Sequence, residues 1–292
     1  MIKEMIARMR GPGELDLARD RARYDSAAAA FKGYVRSTVS TAALNGVPCE
    51  LHTPPEGDVT GCIIYFHGGG YVLGSPRSHR HLVAEICRLT RCVVIAPDYA
   101  LAPERPFPAA VEDGLSVYQA AECRWGQLPV ALVGDSAGGA LSVSTALQIR
   151  AKGSDRLRAI ACLSPWMDLT CTSGRYGNDA SHDQSLDSRR LRVYAGHYLG
   201  AISPESPAAS PLFASLGGLP PMLVQVGREE LLYEDAVSFA EQVHRAGGEI
   251  ALDVWDDVVH VWQWYWPMLD SGSAALVQLA GFLQSRLRGA AR

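Results

Sequence analysis

Apolar residues fall along the chain in two rhythms. Short, nearly unbroken apolar runs recur at residues 62–66, 92–97, 130–133, 159–164, 221–226 and 250–255. Runs of this length predict strands buried on both faces. Between them lie longer stretches of mixed polarity at 82–89, 109–123, 140–150, 234–246 and 274–287, which predict helices. Two further strands, 34–41 and 47–53, flank the hairpin signal Leu44-Asn45-Gly46, and Pro54-Pro55-Glu56-Gly57-Asp58 predicts a turn. Alternating strands and helices predict an α/β fold with a mainly parallel, eight-stranded sheet flanked by helices.

Two segments break the alternation. Residues 1–30 carry an apolar face of Ile2, Met5, Ile6 and Met9, a break at Gly11-Pro12-Gly13, and a second short helix over 22–30. Residues 171–211 contain a helix over 188–199 but are far longer than an ordinary connection of ~2–6 residues. This stretch reads as an insertion over the carboxyl-terminal edge of the sheet. The expectation is one domain, 1–292, with a helical cap formed from 1–30 and 171–211.

Composition narrows the function classes. The 292 residues are 48% hydrophobic and 20% charged, with a formal net charge of −4. That length supports a large core, and the charge lacks the basic footprint of a nucleic-acid binder. No apolar run approaches the ~18 residues that span a bilayer. The first residues lack a signal-peptide core, so the expectation is a cytoplasmic protein without nucleic-acid or membrane partners. Seven cysteines without a C-x-x-C pair suggest neither a disulfide framework nor a metal site.

The candidate chemistry lies after the run at 130–133. Gly134-Asp135-Ser136-Ala137-Gly138 is a G-x-S-x-G between a predicted strand and a predicted helix, which is the arrangement of a nucleophile elbow. A serine hydroxyl needs a base, a carboxylate that orients the base, and donors for the oxyanion. In this arrangement the chain order is serine, acid, histidine. Of eight histidines, His260 alone follows the last predicted strand. The acid belongs after the strand at 221–226, where Glu229, Glu230, Glu234 and Asp235 are all candidates; the loop favours Glu229 or Glu230. His67-Gly68-Gly69-Gly70 directly follows a buried strand and suits an oxyanion loop, with His67 holding the loop. The expected donors are the amides of Gly68, Gly69 and Ala137. Tyr71, Asp135 and Trp262 are expected at the substrate pocket, with Trp264 as a further wall candidate.

Taken together, H-G-G-G at 67–70, G-S-P-R-S-H-R at 74–80, D-Y-A-L-A-P-E-R-P-F-P-A-A at 98–110, G-D-S-A-G-G at 134–139, L-S-P-W-M-D-L at 163–169, L-P-P-M-L-V-Q-V-G at 219–227 and the His260 segment resemble the hormone-sensitive-lipase-like serine esterases of the α/β-hydrolase fold. The resemblance runs from about residue 60 to 262. It implies a carboxylesterase for short-acyl esters that forms an acyl-enzyme, needs no cofactor and, as in many members, is a homodimer. It also implies the cap. The motif of a carboxylate, any residue, then Leu narrows the acid to Glu230, with Glu229 second, in a subgroup similar to acetyl and lactone hydrolases. A lactone, N-acetyl or carbamate hydrolase with the same residues is the alternative within that class. A non-catalytic binder on the same fold is the alternative outside it. Ala100 stands where the family usually has Arg, so whatever that cation would pair with needs another partner.

Overall fold

A computed structural model describes residues 2–10, 15–56, 59–177 and 183–288. The expected break at Gly11-Pro12-Gly13, the turn residues Gly57 and Asp58, and Ser181 and His182 of the insertion lie outside the described residues.

The sheet has eight strands in the order β1-β2-β4-β3-β5-β6-β7-β8. They are β1 (Thr38–Leu44), β2 (Val47–Thr53), β3 (Cys62–Phe66), β4 (Val93–Pro97), β5 (Val130–Asp135), β6 (Leu157–Leu163), β7 (Met222–Gly227) and β8 (Ile250–Trp255). The first hairpin and its junction with β4 are antiparallel, and every later pairing is parallel. The helices are α1 (Ile2–Arg10), α2 (Leu17–Ala27), α3 (Pro76–Thr90), α4 (Ala109–Arg124), α5 (Ala137–Ala151), α6 (Gly174–Gly177), α7 (Ser188–Leu199), α8 (Tyr233–Arg245) and α9 (Asp270–Arg288).

The two faces of the sheet form two cores. Ile63 and Tyr65 of β3 point to one face and pack with Leu82, Val83 and Ile86 of α3 and Leu276, Leu279 and Leu283 of α9. Ile64 and Phe66 point to the other and pack with residues of α4, α5 and α8. This is the period-2 alternation of a strand buried on both sides. Burying each such aliphatic side chain contributes roughly 1.5–3 kcal/mol relative to leaving it exposed.

Several expected boundaries move, for local reasons. Tyr34 does not open β1; it ends a 3₁₀ helix, Ala28–Tyr34, held down by Phe31 stacked 4.4 Å from His81. Leu44 belongs to β1 and pairs with Val47, leaving Asn45 and Gly46 as a two-residue turn with φ of 47° and 86°. The second helix starts at Leu17 because the Asp16 carboxylate accepts from Arg19 N at 3.0 Å. Likewise α3 starts at Pro76, ahead of the expected 82, because the Ser75 hydroxyl accepts from Ser78 N at 3.2 Å and Pro76 suits the first helical position.

Candidate active site

Ser136 occupies the turn from β5 into α5 with φ 52° and ψ −120°, a conformation costly to any residue with a Cβ. Its surroundings enforce it. The Ser136 amide donates to Leu163 O at 2.8 Å, and its carbonyl accepts from Trp166 N at 3.0 Å. The flanking glycines are required by close approach: a Cβ on Gly134 would lie 2.2 Å from Gly138 O, and one on Gly138 would lie 2.0 Å from Phe66 O. The Ala137 amide opens a helix of 15 residues, so the partial positive charge of its first turn faces the site.

Of the four candidate acids, the structure brings Glu230 alone to His260. Its side chain is buried, and its Oε2 accepts from His260 Nδ1–H at 2.6 Å. Oε1 accepts from Gly227 N at 2.6 Å and from Ser164 Oγ–H at 2.7 Å. Arg175 Nη1 donates to the Glu230 carbonyl at 2.8 Å. Glu229, by contrast, is exposed. Asp235 is buried in α8, where burial pushes its carboxyl well above the usual range, and Glu234 pairs with Arg175. Burial works against an imidazolium at His260, but the Glu230 carboxylate outweighs it and raises the pKa above 6.5.

Ser164 is the second residue of the L-S-P-W-M-D-L motif, which carries no chemical signal of its own. It has φ 48° and is fully buried; besides donating to Glu230 it accepts from Val261 N at 3.1 Å. Val261 itself sits at φ 51°, unusual for a β-branched residue. One hydroxyl thus ties the acid to the residue after His260.

The glycine loop corrects one expectation. The Gly68 amide does not face the cavity: it donates to Asp135 Oδ1 at 2.9 Å, and a Cβ there would lie 2.2 Å from Asp135 Oδ2. Gly69 (φ 116°) and Gly70 (φ 65°) line the cavity with Ser136, and among the described residues their amides have no protein acceptor. The candidate donors are therefore the amides of Gly69, Gly70 and Ala137. His67 braces the loop as expected. Its Nδ1–H donates to Gly68 O at 2.8 Å, its ring stacks 4.3 Å from Tyr99, and burial depresses its pKa to about 3.

A cavity of about 120 Å³ opens above Ser136, His260 and the two glycines. Its apolar wall includes Met9 of α1, Tyr24 of α2, Leu191 and Tyr194 of α7, and Trp264. Asp135 lies at its edge as expected, but Tyr71 and Trp262 do not line it. Tyr71 is buried face to face with Tyr198 at 3.7 Å, and Trp262 is buried 5.6 Å from Trp255. The 3₁₀ turn Trp262–Tyr265 faces Trp262 away from the cavity and Trp264 toward it. Beside Ala100, buried Asp113 accepts from the Ala100 amide at 2.8 Å and pairs with Arg105 at 3.2 Å. A cation thus reaches Asp113 from five positions along the chain. No group of side chains able to hold a metal occurs among the described residues, and no described helix is long and apolar enough to cross a membrane.

Comparison with known proteins follows the same lines. A family described as having the alpha/beta hydrolase fold matches residues 63–264. An acetyl-hydrolase of Streptomyces hygroscopicus is 39% identical over 226 residues, 76% of this chain and 75% of that protein. An esterase of Acinetobacter venetianus is 32% identical over 284 residues, 96% of this chain and 93% of that protein. The crystal structure of an esterase from the bacterial hormone-sensitive lipase family superposes with a TM-score of 0.93 at 37% identity, covering 98% of this chain and 97% of that one.

Proposed function

This chain belongs to the α/β-hydrolase fold family and is a carboxylic ester hydrolase of the hormone-sensitive-lipase-like group; from that premise we propose that Ser136, His260 and Glu230 carry the reaction through an acyl-enzyme. Ser136 Oγ attacks the ester carbonyl carbon while His260 Nε2 takes its proton. The amides of Gly69, Gly70 and Ala137 receive the oxyanion of the tetrahedral intermediate. His260 passes its proton to the departing alcohol, leaving the acyl group on Ser136. Water, deprotonated by His260, then attacks that ester; as the bond to Ser136 Oγ breaks, His260 returns the proton to the serine and the acid is released. Glu230 stays ionised and fixes Nδ1–H, so that Nε2 is the free base.

The observation that carries this reading is the 2.6 Å contact between His260 Nδ1 and a carboxylate that is itself held by Gly227 and Ser164. It orients the imidazole into the cavity that Ser136 shares. Ser136→Ala abolishes turnover of p-nitrophenyl acetate and butyrate on this reading; retained turnover would sink it.

The proposed substrates are short-acyl esters. At about 120 Å³ the cavity is smaller than the ~150 Å³ hole that accommodates one benzene. Helices α1, α2 and α7 form its wall, and we read them as the cap. An acyl-chain series from acetate to decanoate, with a lactone alongside, tests both points: the optimum is expected at or below butyrate. The protein is further proposed to be cytoplasmic, supported by seven unpaired cysteines. A homodimer is supported by the open edge of β8 and exposed Val277; sedimentation velocity at micromolar concentration checks it.

A further inference from the structure

Asp135 is the last residue of β5, next to Ser136, yet its side chain reaches back across the site. Oδ1 accepts from Gly68 N at 2.9 Å and from Tyr65 Oη–H at 2.6 Å, and Oδ2 lies 3.4 Å from His79 Nε2. His79 Nδ1 lies 2.9 Å from Ser78 Oγ, which donates to Ser75 O at 2.8 Å. The carboxylate is buried, and burial opposes its charge, but His79 and Tyr65 outweigh that cost and keep its pKa below the ordinary value.

We propose that Asp135 is a positioning residue for the oxyanion hole: by holding the Gly68 amide it turns the next two amides toward the ester oxygen. This rests on the reading of Ser136 as nucleophile. The geometry is that of planar trans peptides. The Gly68 carbonyl is fixed by His67 Nδ1–H at 2.8 Å. In a trans peptide the Gly69 N–H points opposite to that carbonyl. Pinning Gly68 at its amide by Asp135 and at its carbonyl by His67 therefore sets the direction of Gly69 N–H. Gly69 (φ 116°) and Gly70 (φ 65°) have no Cβ to resist other conformations, so the loop needs such an external anchor. Because Asp135 is covalently next to Ser136, the same side chain keeps the donors in register with the nucleophile. A bare carboxylate near a developing oxyanion would oppose it; Tyr65, Gly68 and His79 offset that charge.

Steady-state kinetics with p-nitrophenyl butyrate and inhibition by a trifluoromethyl ketone, which forms a tetrahedral adduct on a nucleophilic serine, test the proposal. In Asp135→Ala, kcat is expected to fall about 100-fold, as for loss of an oxyanion donor. KM should stay within about threefold, and the ketone's Ki should rise in proportion to the loss in kcat. Asp135→Asn keeps an acceptor for Gly68 N–H and should recover at least about tenfold of the loss. Tyr65→Phe is nearly isosteric and serves where Asp135→Ala does not fold: kcat and Ki should both worsen about fivefold. The proposal is overturned by a folded Asp135→Ala or Tyr65→Phe with wild-type kcat and Ki, by a loss confined to KM, or by Asn performing no better than Ala. Fluorophosphonate labelling of the wild type keeps the two readings apart. Label on a residue other than Ser136 overturns the nucleophile assignment and this inference together, whereas label on Ser136 with an unaffected Asp135→Ala overturns this inference alone.

Discussion

The carboxyl-terminal rim of the sheet and the helical wall across the cavity are held in place by different physics. On the rim, strained backbone is locked by directional bonds: Ser136 at φ 52°, Ser164 at φ 48° and Val261 at φ 51°. The side chains and amides around them are tied by hydrogen bonds of 2.6–3.1 Å. The wall is mainly apolar surface, with Ser185, Asp187 and Arg190 at its polar side, and α2 is also tied by Asp25 to Ser75 and Arg77 and by Arg21 to Glu104. Helix α2 is fastened by Arg21, which donates to Val72 O at 2.8 Å and Ala102 O at 2.9 Å. Helix α1 meets the floor through Ile6 and Met9, whose Sδ lies 3.9 Å from Tyr265 Oη. In α7, the Tyr194 ring lies so close to Gly70 that a Cβ there would come within 2.5 Å of Cδ2. A rim of this kind tolerates almost no displacement, since a shift of ~1 Å in a reacting group can cost about 10² in rate. A wall of packed side chains can be recut while the chemistry survives. On the proposed mechanism labour is divided: rate belongs to the strand ends and acyl selectivity to the helices.

The largest test of that division is on the rim. Ser136→Ala should lower kcat by about 10⁶. Glu230→Gln should follow at about 10⁴, because the amide no longer enforces the tautomer, while Glu229→Gln stays within about twofold. The pH profile sharpens the point. Neutral His260 is the form that accepts the Ser136 proton, and its pKa is raised above 6.5. Activity is therefore lost as pH falls through that raised value, and Glu230→Gln should move this limb to lower pH. An unmoved limb would detach Glu230 from the base.

Smaller effects should separate the wall from the rim. Tyr194→Ala enlarges the cavity above Gly70, so kcat/KM for hexanoate should rise about tenfold relative to butyrate. Butyrate hydrolysis itself should change by less than about threefold. A butyrate loss as large as that of Glu230→Gln would show that the wall carries rate after all. Ser164→Ala removes one hydrogen bond to a charged group and should cost about 1.5–3 kcal/mol in a urea melt. With it, kcat should drop by roughly tenfold, because Glu230 and the Val261 backbone lose their shared anchor.

Much of the rim was legible in the sequence. Buried strands announce themselves as unbroken apolar runs, and G-x-S-x-G, the glycine loop and His260 stand in the chain order the chemistry requires. What stayed hidden depends on direction. Glu229 and Glu230 are neighbours of the same type, and only the turn after β7 sends one inward and the other to solvent. Gly68 and Gly70 look alike in H-G-G-G, yet an aspartate 67 residues along the chain, at the end of the neighbouring strand β5, claims the amide of the first. Tyr71 and Trp262 sit next to Gly70 and Val261, which line the cavity, but a left-handed turn and a 3₁₀ turn face them into the core. The wall was least legible. Met9, Tyr24 and Tyr194 come from segments with no chemical motif, and only tertiary packing brings them over Ser136.

In the proposed mechanism the acyl group passes through Ser136. Rapid acid quench of the enzyme mixed with p-nitrophenyl acetate, followed by peptide mass spectrometry, reads it directly. The mass of one acetyl group is expected on the peptide containing Ser136, formed within the first turnover and lost as acetate appears. Turnover with Ser136 unmodified and the acetyl group on another side chain would contradict it.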